Sequence, residues 1–485
     1  MNAMTIPVEW AITILLLFGC IWVIFGWWLG RNKSTLDDFM LAGRNVGLAF
    51  ACATAMATWI TSNTTLVAPQ LTYQFGIWGM IGYSMAALGL ILFAPLAKRI
   101  KQLMPQGYTC GDFIRLRYGR FAWYVFLLIS LFYSLGWLVS LGMAGGILLS
   151  ALSGLDYHVG MTAILIICVL YTLLGGLRAV IATDFVQTVI ILLGILVIGF
   201  VCIRDVGLEN IYMSVKQDSP QLLDLFFPAA IMFLFNNIFF GIGEIFHSNV
   251  WWSRAFAFKK DIGKKAFLVS GLLWLPIPIV TGFIALSAPA IGLYPPSADM
   301  IGPMIAAKLL GGIGAVFVFI VVFSALASSL DSLLAATSDL LTKDIYKGII
   351  NPQVSDKMLL QKSKIIIVLL GVVTWLLCLP KITTLGELLN FTGAFVASTI
   401  WPIVFGLFYQ RLNGFFAAIA MLSGAVCGLI GYFVIGFYVA ALISCAVSLI
   451  VCLLGISIKN ANFQWQQLDD KPLKEIPLQD NQLIS

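Results

Sequence analysis

Long apolar runs, each about the length of one membrane crossing, recur along the whole chain. A helix needs roughly 20 apolar residues to cross the hydrocarbon core of a bilayer, because no water is present there to satisfy its backbone. Thirteen runs qualify: about 8–30, 46–73, 77–97, 121–152, 157–178, 181–203, 226–252, 266–293, 303–341, 363–380, 385–409, 414–436 and 437–458. The pattern predicts an all-α polytopic membrane protein with about 13 transmembrane helices.

The amino-acid composition supports this prediction and excludes several other classes of protein. Of the 485 residues, 60% are hydrophobic and only 10% are charged, whereas about a quarter of an average soluble domain is charged. Nucleic-acid binding fits this composition poorly. The nine cysteines show no CxxC spacing, so we expect small buried residues and not bridges or metal ligands. No P-loop, HExxH or GxSxG motif is present, and we expect neither catalytic residues nor an organic cofactor.

Basic residues concentrate on one side of the predicted spans. If the N-terminus lies outside, 24 of the 28 Lys and Arg residues fall in inner segments, Arg254 among them. The positive-inside rule then predicts an outer N-terminus and a cytoplasmic C-terminus in the plasma (inner) membrane. We expect one transmembrane domain at 1–458 and a polar cytoplasmic tail at 459–485.

The second span is unusually polar for a membrane helix. It carries seven hydroxyl or amide side chains between Thr54 and Thr65, followed by Pro69 and Gln70. Polar groups at this depth are costly and usually mark a transport pathway. We expect an interrupted helix whose freed carbonyls hold an ion and a solute. The alternative is a polar helix–helix contact in which Ser and Thr bond to their own backbone.

Carboxylates and hydroxyls also occur together in the sixth and ninth spans. Ser328, Asp331 and Ser332 share one helix face, at positions i, i+3 and i+4. This oxygen-rich set suits a hard monovalent cation; the alternative is a packing contact in which the aspartate meets a basic partner. Asp184 lies near the predicted inner end of the sixth span, where pairing with Arg178 is the alternative to an ion-binding role.

The seventh span contains the buried glutamate of the predicted pathway. Gly241 and Gly243 come just before it and predict a break in the helix, with Glu244 facing a wet cavity. His247, three residues further on, is expected to be a structural histidine. We expect no Lys or Arg at mid-span, so Glu244 requires a solute donor, a bound ion or His247 as its partner.

The two interrupted spans are five spans apart. This spacing is typical of two five-helix inverted repeats with a binding site at the membrane midplane between them. We therefore expect an extra N-terminal helix at 8–30, repeat one at about 46–203, repeat two at about 226–409, and C-terminal helices at 414–458.

Short motifs in a fixed order accompany these spans. They are Asp37, Asp38 and Phe39 with Gly43 and Arg44; Tyr171 and Thr172 through Gly175 and Gly176 to Thr183 and Asp184; Ala325, Ser328 and Ser329 leading into Thr342–Tyr346; and Pro402 with Gly406, Leu407 and Phe408. In these motifs the chain resembles the sodium:solute symporter family over about residues 8–458. The resemblance implies the inverted-repeat fold of the leucine transporter and sodium-coupled import of a small organic solute by alternating access. Proton coupling and passive facilitation by the same fold are the alternatives.

The resemblance also implies ion sites. One sodium ion is expected at the carbonyls of Ala57, Ile60 and Ala325 and the hydroxyls of Ser328 and Ser329. A second ion site is expected at Asp184, Ser328, Asp331 and Ser332. Na+ as the coupling ion and the lipid bilayer are the partners that follow from it.

The solute is expected between spans 2, 3, 4, 7 and 11. The candidate solute-binding residues are Trp59, Thr61, Thr64, Gln70, Trp137, Asn237 and Glu244. The stretch 245–254 looks most like the urea-transporting branch of the family. A urea-like, amino-acid-like or cationic solute is therefore expected.

Overall fold

A computed structural model describes residues 6–30, 35–458 and 462–469. Within these residues the chain is almost entirely helical, and a single β-bridge joins Val46 to Phe258. The predicted tail at 459–485 lies outside the described residues except for 462–469. All nine cysteines are free, and most are buried as expected.

Nineteen α-helices follow one another along the described chain. They are α1 (Val8–Gly30), α2 (Leu36–Leu41), α3 (Leu48–Trp59), α4 (Ser62–Phe75), α5 (Ile77–Ser84), α6 (Ala87–Leu103), α7 (Cys110–Ser153), α8 (Tyr157–Val206), α9 (Leu208–Asp218), α10 (Pro228–His247), α11 (Asn249–Ala257), α12 (Ile262–Trp274), α13 (Pro276–Phe283), α14 (Ile301–Leu340), α15 (Asp356–Cys378), α16 (Leu385–Ala397), α17 (Ile400–Phe408), α18 (Gly414–Val434) and α19 (Ala440–Ile458). A π-helical segment, Leu341–Ile350, continues α14.

Eleven helical stretches of the described chain are long and apolar enough to cross a membrane. Helix α8 has 50 residues and bends at Gly176, which has φ 56 and ψ 178. This left-handed backbone favours glycine, and it divides α8 into segments that correspond to the predicted fifth and sixth spans. Counting these as two spans, and α3 with α4 as one more, gives the thirteen predicted. The all-α membrane fold is confirmed, and the number thirteen stays a prediction.

The predicted interruption of the second span is confirmed. Ile60 leaves the helix with φ −84 and ψ 80, and Thr61 begins α4 with a capping box. In this box the Thr61 hydroxyl accepts from the Thr64 backbone N–H, and the Thr64 hydroxyl accepts from the Thr61 N–H. Pro69 lies inside α4 and does not cause the break.

The seventh span is also broken, but four residues beyond the predicted glutamate. Helix α10 ends at His247, and Ser248, with φ −70 and ψ 130, begins α11 as its N-cap. Gly241 and Gly243 are helical and have another role. A Cβ on Gly241 would lie 2.5 Å from Ala86 Cα. These glycines therefore allow neighbouring helices to pack closely on α10.

Helix α14 occupies the centre of the fold. It packs along α7 and α8, and α3 packs against α8, α12 and α14. The hydroxyl-rich part of α14 therefore faces the unwound end of α3. This packing positions the candidate ion site.

Candidate functional site

The unwound end of α3 meets the serines of α14. The Ser329 hydroxyl lies 3.1 Å from the carbonyl oxygens of both Thr58 and Ala325. The five residues predicted to bind sodium, Ala57, Ile60, Ala325, Ser328 and Ser329, are all buried. Because the helix ends at Ile60, the carbonyls on either side of Thr58 are released from regular helical bonding. The structure therefore brings the two halves of the predicted sodium site together.

Asp184 orients one of these serines. The Ser328 hydroxyl donates to Asp184 Oδ1 at 2.5 Å, and the Thr54 hydroxyl donates to Oδ2 at 2.6 Å. A hydroxyl that donates its proton to a carboxylate keeps its lone pairs free for a cation. Asp184 thus fixes the direction in which Ser328 presents its oxygen.

Arg254 is the cationic partner of this carboxylate. Both side chains are fully buried, and Arg254 Nη2 lies 3.4 Å from Asp184 Oδ2. The guanidinium also donates to the hydroxyls of Thr58 at 2.6 Å and Ser332 at 2.8 Å. The expectation that no Lys or Arg meets a carboxylate in the core is wrong, and pairing of Asp184 with Arg178, the alternative that the sequence left open, does not occur. Arg178 is exposed, whereas α11 carries Arg254 into the core.

The predicted second ion site therefore has two unlike parts. Asp184 and Ser332 already contact the guanidinium of Arg254. Asp331 is also fully buried, but neither of its carboxylate oxygens has a hydrogen-bond partner among the described residues. The Tyr171 hydroxyl is near enough to interact with this carboxylate, but a buried carboxylate without a full hydrogen bond is energetically costly. That Asp331 binds a cation stays a prediction.

Glu244 is held by two aromatic side chains. The Tyr133 hydroxyl donates to Oε1 at 2.5 Å, and Trp251 Nε1 donates to Oε2 at 3.0 Å. Glu244 is 3% exposed. His247 is not its partner, because the His247 ring contacts Ser130 instead, at 3.1 Å. Each carboxylate oxygen retains lone-pair capacity for a further donor.

Three further tryptophans cluster with Trp251, the indole that binds this carboxylate. The Trp59 ring lies 6.2 Å from Trp137, 5.6 Å from Trp251 and 5.6 Å from Trp274, measured between centroids. The indole N–H groups of Trp59 and Trp137 are buried without a partner among the described residues. Trp59 contacts Trp251, which binds Glu244, and the prediction that Trp59 and Trp137 form walls of the solute site stays a prediction.

The other predicted solute-binding residues make hydrogen bonds within the fold. Thr61 and Thr64 form the capping box that begins α4. Gln70 bonds to Thr384 and to the backbone of Gly386 at the start of α16, and Asn237 donates to the Gly82 carbonyl. The structure does not group Gln70 and Asn237 with Glu244, because packing between helices occupies their amides.

Sequence reasoning missed Tyr133, Trp251 and Arg254. Tyr133 and Trp137 are four residues apart on α7, so they share a face; this spacing could have linked Tyr133 to the predicted wall. No comparable signal identified Arg254. It precedes Lys259 and Lys260 in the sequence and was assigned with them to an inner loop.

The chain matches a family model and several characterised proteins. The model of the sodium:solute symporter family matches residues 39–424. The urea active transporter of Saccharomyces cerevisiae is 25% identical over 81% of this chain and 58% of its own length. The osmoregulated proline transporter OpuE of Bacillus subtilis is 26% identical over 84% of this chain and 86% of its own length. The match to the yeast protein therefore covers less than two thirds of that relative's length.

Solved structures show the same fold. A Na+-coupled sialic acid symporter in a substrate-bound outward-open state superposes with a TM-score of 0.78, covering 94% of this chain and 98% of its own, at 19% identity. Mhp1, a nucleobase-cation-symport-1 family transporter in a closed conformation, superposes with a TM-score of 0.58, covering 88% and 96%, at 14% identity. These are transporters of the leucine-transporter-type fold expected from the sequence. With its interrupted spans, buried hydroxyls and matched residues 39–424, the chain belongs to the sodium:solute symporter family.

Proposed function

We propose that the protein imports a small, N–H-bearing solute together with Na+ by alternating access. The observation that carries this proposal is the contact of Ser329 with the Thr58 carbonyl. Thr58 precedes Trp59, whose ring contacts Trp251, the indole that binds Glu244. A cation bound between α3 and α14 therefore fixes the backbone that positions Trp59, and this links ion occupancy to solute binding.

The coupling is thermodynamic. Ion binding that raises solute affinity requires that solute binding raise ion affinity by the same factor. One positive charge moving inward across a potential of 100 mV supplies about 2.3 kcal/mol. We propose that the protein lies in the plasma membrane with its N-terminus outside, so that the gradient and the potential both act inward.

The chemistry of Glu244 and the neighbouring indoles supports a urea-like or amide-like solute. Glu244 offers a carboxylate that accepts hydrogen bonds, and the indoles of Trp59 and Trp137 offer unpartnered N–H donors. A solute with both N–H groups and a carbonyl oxygen satisfies both. A cationic solute satisfies only Glu244, and a carboxylate is repelled by it. The similarity to the yeast urea transporter supports the same class, whereas the similarity to proline transporters keeps amino acids as the competing class.

Proton coupling is the second candidate mechanism. A relative from Oryza sativa is a urea-proton symporter, 25% identical over 86% of this chain. The serine pair of α14 favours sodium, because hydroxyl and carbonyl oxygens bind Na+ without any change of protonation.

The deciding experiment is uptake into proteoliposomes that contain the purified protein. Radiolabelled urea, acetamide, methylammonium and proline are each offered under separate sodium, potassium and pH gradients. Accumulation of urea or acetamide above equilibrium only with an inward sodium gradient is the expected result. Accumulation driven by a pH gradient alone, or equilibration without accumulation, contradicts sodium coupling; accumulation of proline alone contradicts the solute class.

A further inference from the structure

Helix α17 continues the span of α16 after a bend at Ser398 and Thr399. Pro402 has no N–H, so the Ser398 carbonyl four residues earlier has no helical partner, and it accepts instead from the Ser448 hydroxyl at 2.6 Å. The Thr399 hydroxyl bonds back to the Val396 carbonyl at 2.8 Å, a contact that often bends helices. Element ends of this kind are where one half of a span can move relative to the other.

The bend lies next to the candidate solute residue Glu244. A Cβ on Gly243, the residue before Glu244, would lie 2.8 Å from the backbone nitrogen of Ala397, the last residue of α16. The backbones of α10 and α16 therefore touch beside Glu244. A change in the direction of α17 begins within a few residues of this contact.

Two arginines hold the other end of α17. The last carbonyls of a helix have no partner within the helix, and cations near them are stabilising. Arg117 of α7 donates to the carbonyls of Gly406 at 3.2 Å and Tyr409 at 2.9 Å. Arg99 of α6 donates to the carbonyl of Leu407 at 3.3 Å. These two side chains fasten the end of α17 to α6 and α7.

Aromatic side chains of the tail segment, residues 462–469, cover both arginines. The Arg117 guanidinium lies 4.4 Å from the centre of the Phe463 ring. The Arg99 guanidinium lies 5.0 Å from the centre of the Trp465 ring. Both are cation–π distances, so the tail segment binds the same two side chains that hold α17.

Backbone and packing contacts fix the tail segment at this place. The Phe463 N–H donates to the Gln410 carbonyl, two residues beyond the end of α17, at 3.3 Å. A 3₁₀ turn at Trp465–Leu468 packs against α6 and α7, and Leu468 is 1% exposed. The tail segment therefore lies against the junction of α6, α7 and α17.

We propose that the tail segment is a strap that restrains α17, and that its release from Arg99 and Arg117 lets α17 move about its bend during inward opening. The inference rests on the proposed function, in which this end of the molecule faces the cytoplasm. A contact made in only one of two states shifts the equilibrium toward that state. The strap therefore slows inward opening, and its loss accelerates transport.

Substitutions of the two aromatic residues separate the strap from general packing. Phe463→Ala combined with Trp465→Ala removes both rings from the arginines. Phe463→Tyr combined with Trp465→Phe keeps a ring at each position and is the conservative variant. Phe226→Ala, at an aromatic residue that is 84% exposed in the loop before α10, is the matched control.

Hydrogen exchange of the backbone amides, measured by mass spectrometry on the full-length protein, reports on α17 without any solute. We expect exchange at 400–411 to become faster by about fivefold or more in the double alanine variant, the order expected for two lost cation–π contacts. Exchange at 414–434, in α18, is expected to stay unchanged. The conservative variant and Phe226→Ala should match the wild type throughout.

Sodium-driven uptake of radiolabelled urea and acetamide into proteoliposomes gives the transport rate. The maximal rate is expected to rise by about twofold or more in the double alanine variant, because the removed contacts restrain one state only. The conservative and control variants are expected to transport at the wild-type rate. Loss of a purely structural contact lowers the rate, so a rise distinguishes the strap from a packing role.

Unchanged exchange at 400–411 in the double alanine variant overturns the strap. Faster exchange with an unchanged or lower uptake rate also overturns it, because the tail segment then only stabilises the fold. If the double variant does not fold, Trp465→Ala alone is measured in the same two ways, and either of these outcomes overturns the strap. Absence of sodium-dependent uptake of both probes by the wild type contradicts the proposed function, whereas exchange at 400–411 still decides whether the tail segment holds α17.

Discussion

The guanidinium of Arg254 lies 3.4 Å from the carboxylate of Asp184, and both side chains are fully excluded from solvent. The two residues are 70 positions apart in the sequence and belong to α11 and α8. A buried ion pair is tolerated only when its remaining donors and acceptors are satisfied. Here Thr54 bonds to both members of the pair. A fixed positive charge thus lies beside the candidate sodium site.

Removing one member of this pair is expected to destabilise the fold. Arg254→Met leaves Asp184 buried without its cation, and loss of a buried partner typically lowers the free energy of unfolding by about 3–5 kcal/mol. Arg254→Met combined with Asp184→Asn is expected to recover part of that loss. Thermal unfolding in detergent measures the stability of both variants. Arg178→Met, at an exposed arginine, is the control. Equal stability of Arg254→Met and Arg178→Met is incompatible with the pair.

The serines of α14 are expected to control sodium affinity. Ser328→Ala or Ser329→Ala removes one of about five oxygen ligands, a loss of roughly 1–3 kcal/mol. The sodium concentration for half-maximal uptake should therefore rise by about fivefold or more. Ser324→Ala is the control, because it removes a buried hydroxyl of the same helix that has no described partner. In this variant the sodium concentration for half-maximal uptake should stay unchanged. Unchanged sodium dependence in both test variants rules out the proposed site.

Neutralising Asp184 and neutralising Asp331 are expected to have different effects on transport. Because Arg254 already neutralises Asp184, Asp184→Asn should weaken sodium binding through Ser328 without changing the charge moved per solute. Asp331→Asn should lower that charge by about one, because Asp331 is the unpaired carboxylate of the predicted second ion site. Currents and tracer uptake measured on the same proteoliposomes give the ratio. An unchanged ratio in Asp331→Asn argues against a second ion.

Glu244 and its aromatic partner are expected to select the solute. Glu244→Gln replaces an acceptor with a mixed donor and acceptor, so uptake of urea and acetamide should fall by about tenfold or more. Tyr133→Phe removes the hydroxyl that orients Oε1 and should have a smaller effect in the same direction. Tyr124→Phe, on the exposed side of α7, is the control. Competition only by carboxylate-bearing solutes, with Glu244→Gln unaffected, contradicts this assignment.

The sequence by itself determined the class of structure and the approximate position of its breaks. Membrane crossings are local properties of about 20 residues, so hydropathy detects them without knowledge of packing. The hydroxyl side chains around Thr61 bond to the backbone within a few residues of themselves. The weakening of the helix at this point is therefore also a local property. The motif from Ala325 to Ser329 likewise placed the serines on one short stretch of helix.

Tertiary structure alone decided the partners of the buried charges. Nothing near Arg254 in the sequence distinguishes it from Lys259 and Lys260, which follow in a loop. Its burial depends on α3, α8 and α14, whose contacting residues lie 70 to 200 positions away. The glycines at 241 and 243 were misread for the same reason, since close packing and helix breaking use the same residue. Buried polar groups are paired by whichever helices pack together, and that arrangement is a property of the whole fold.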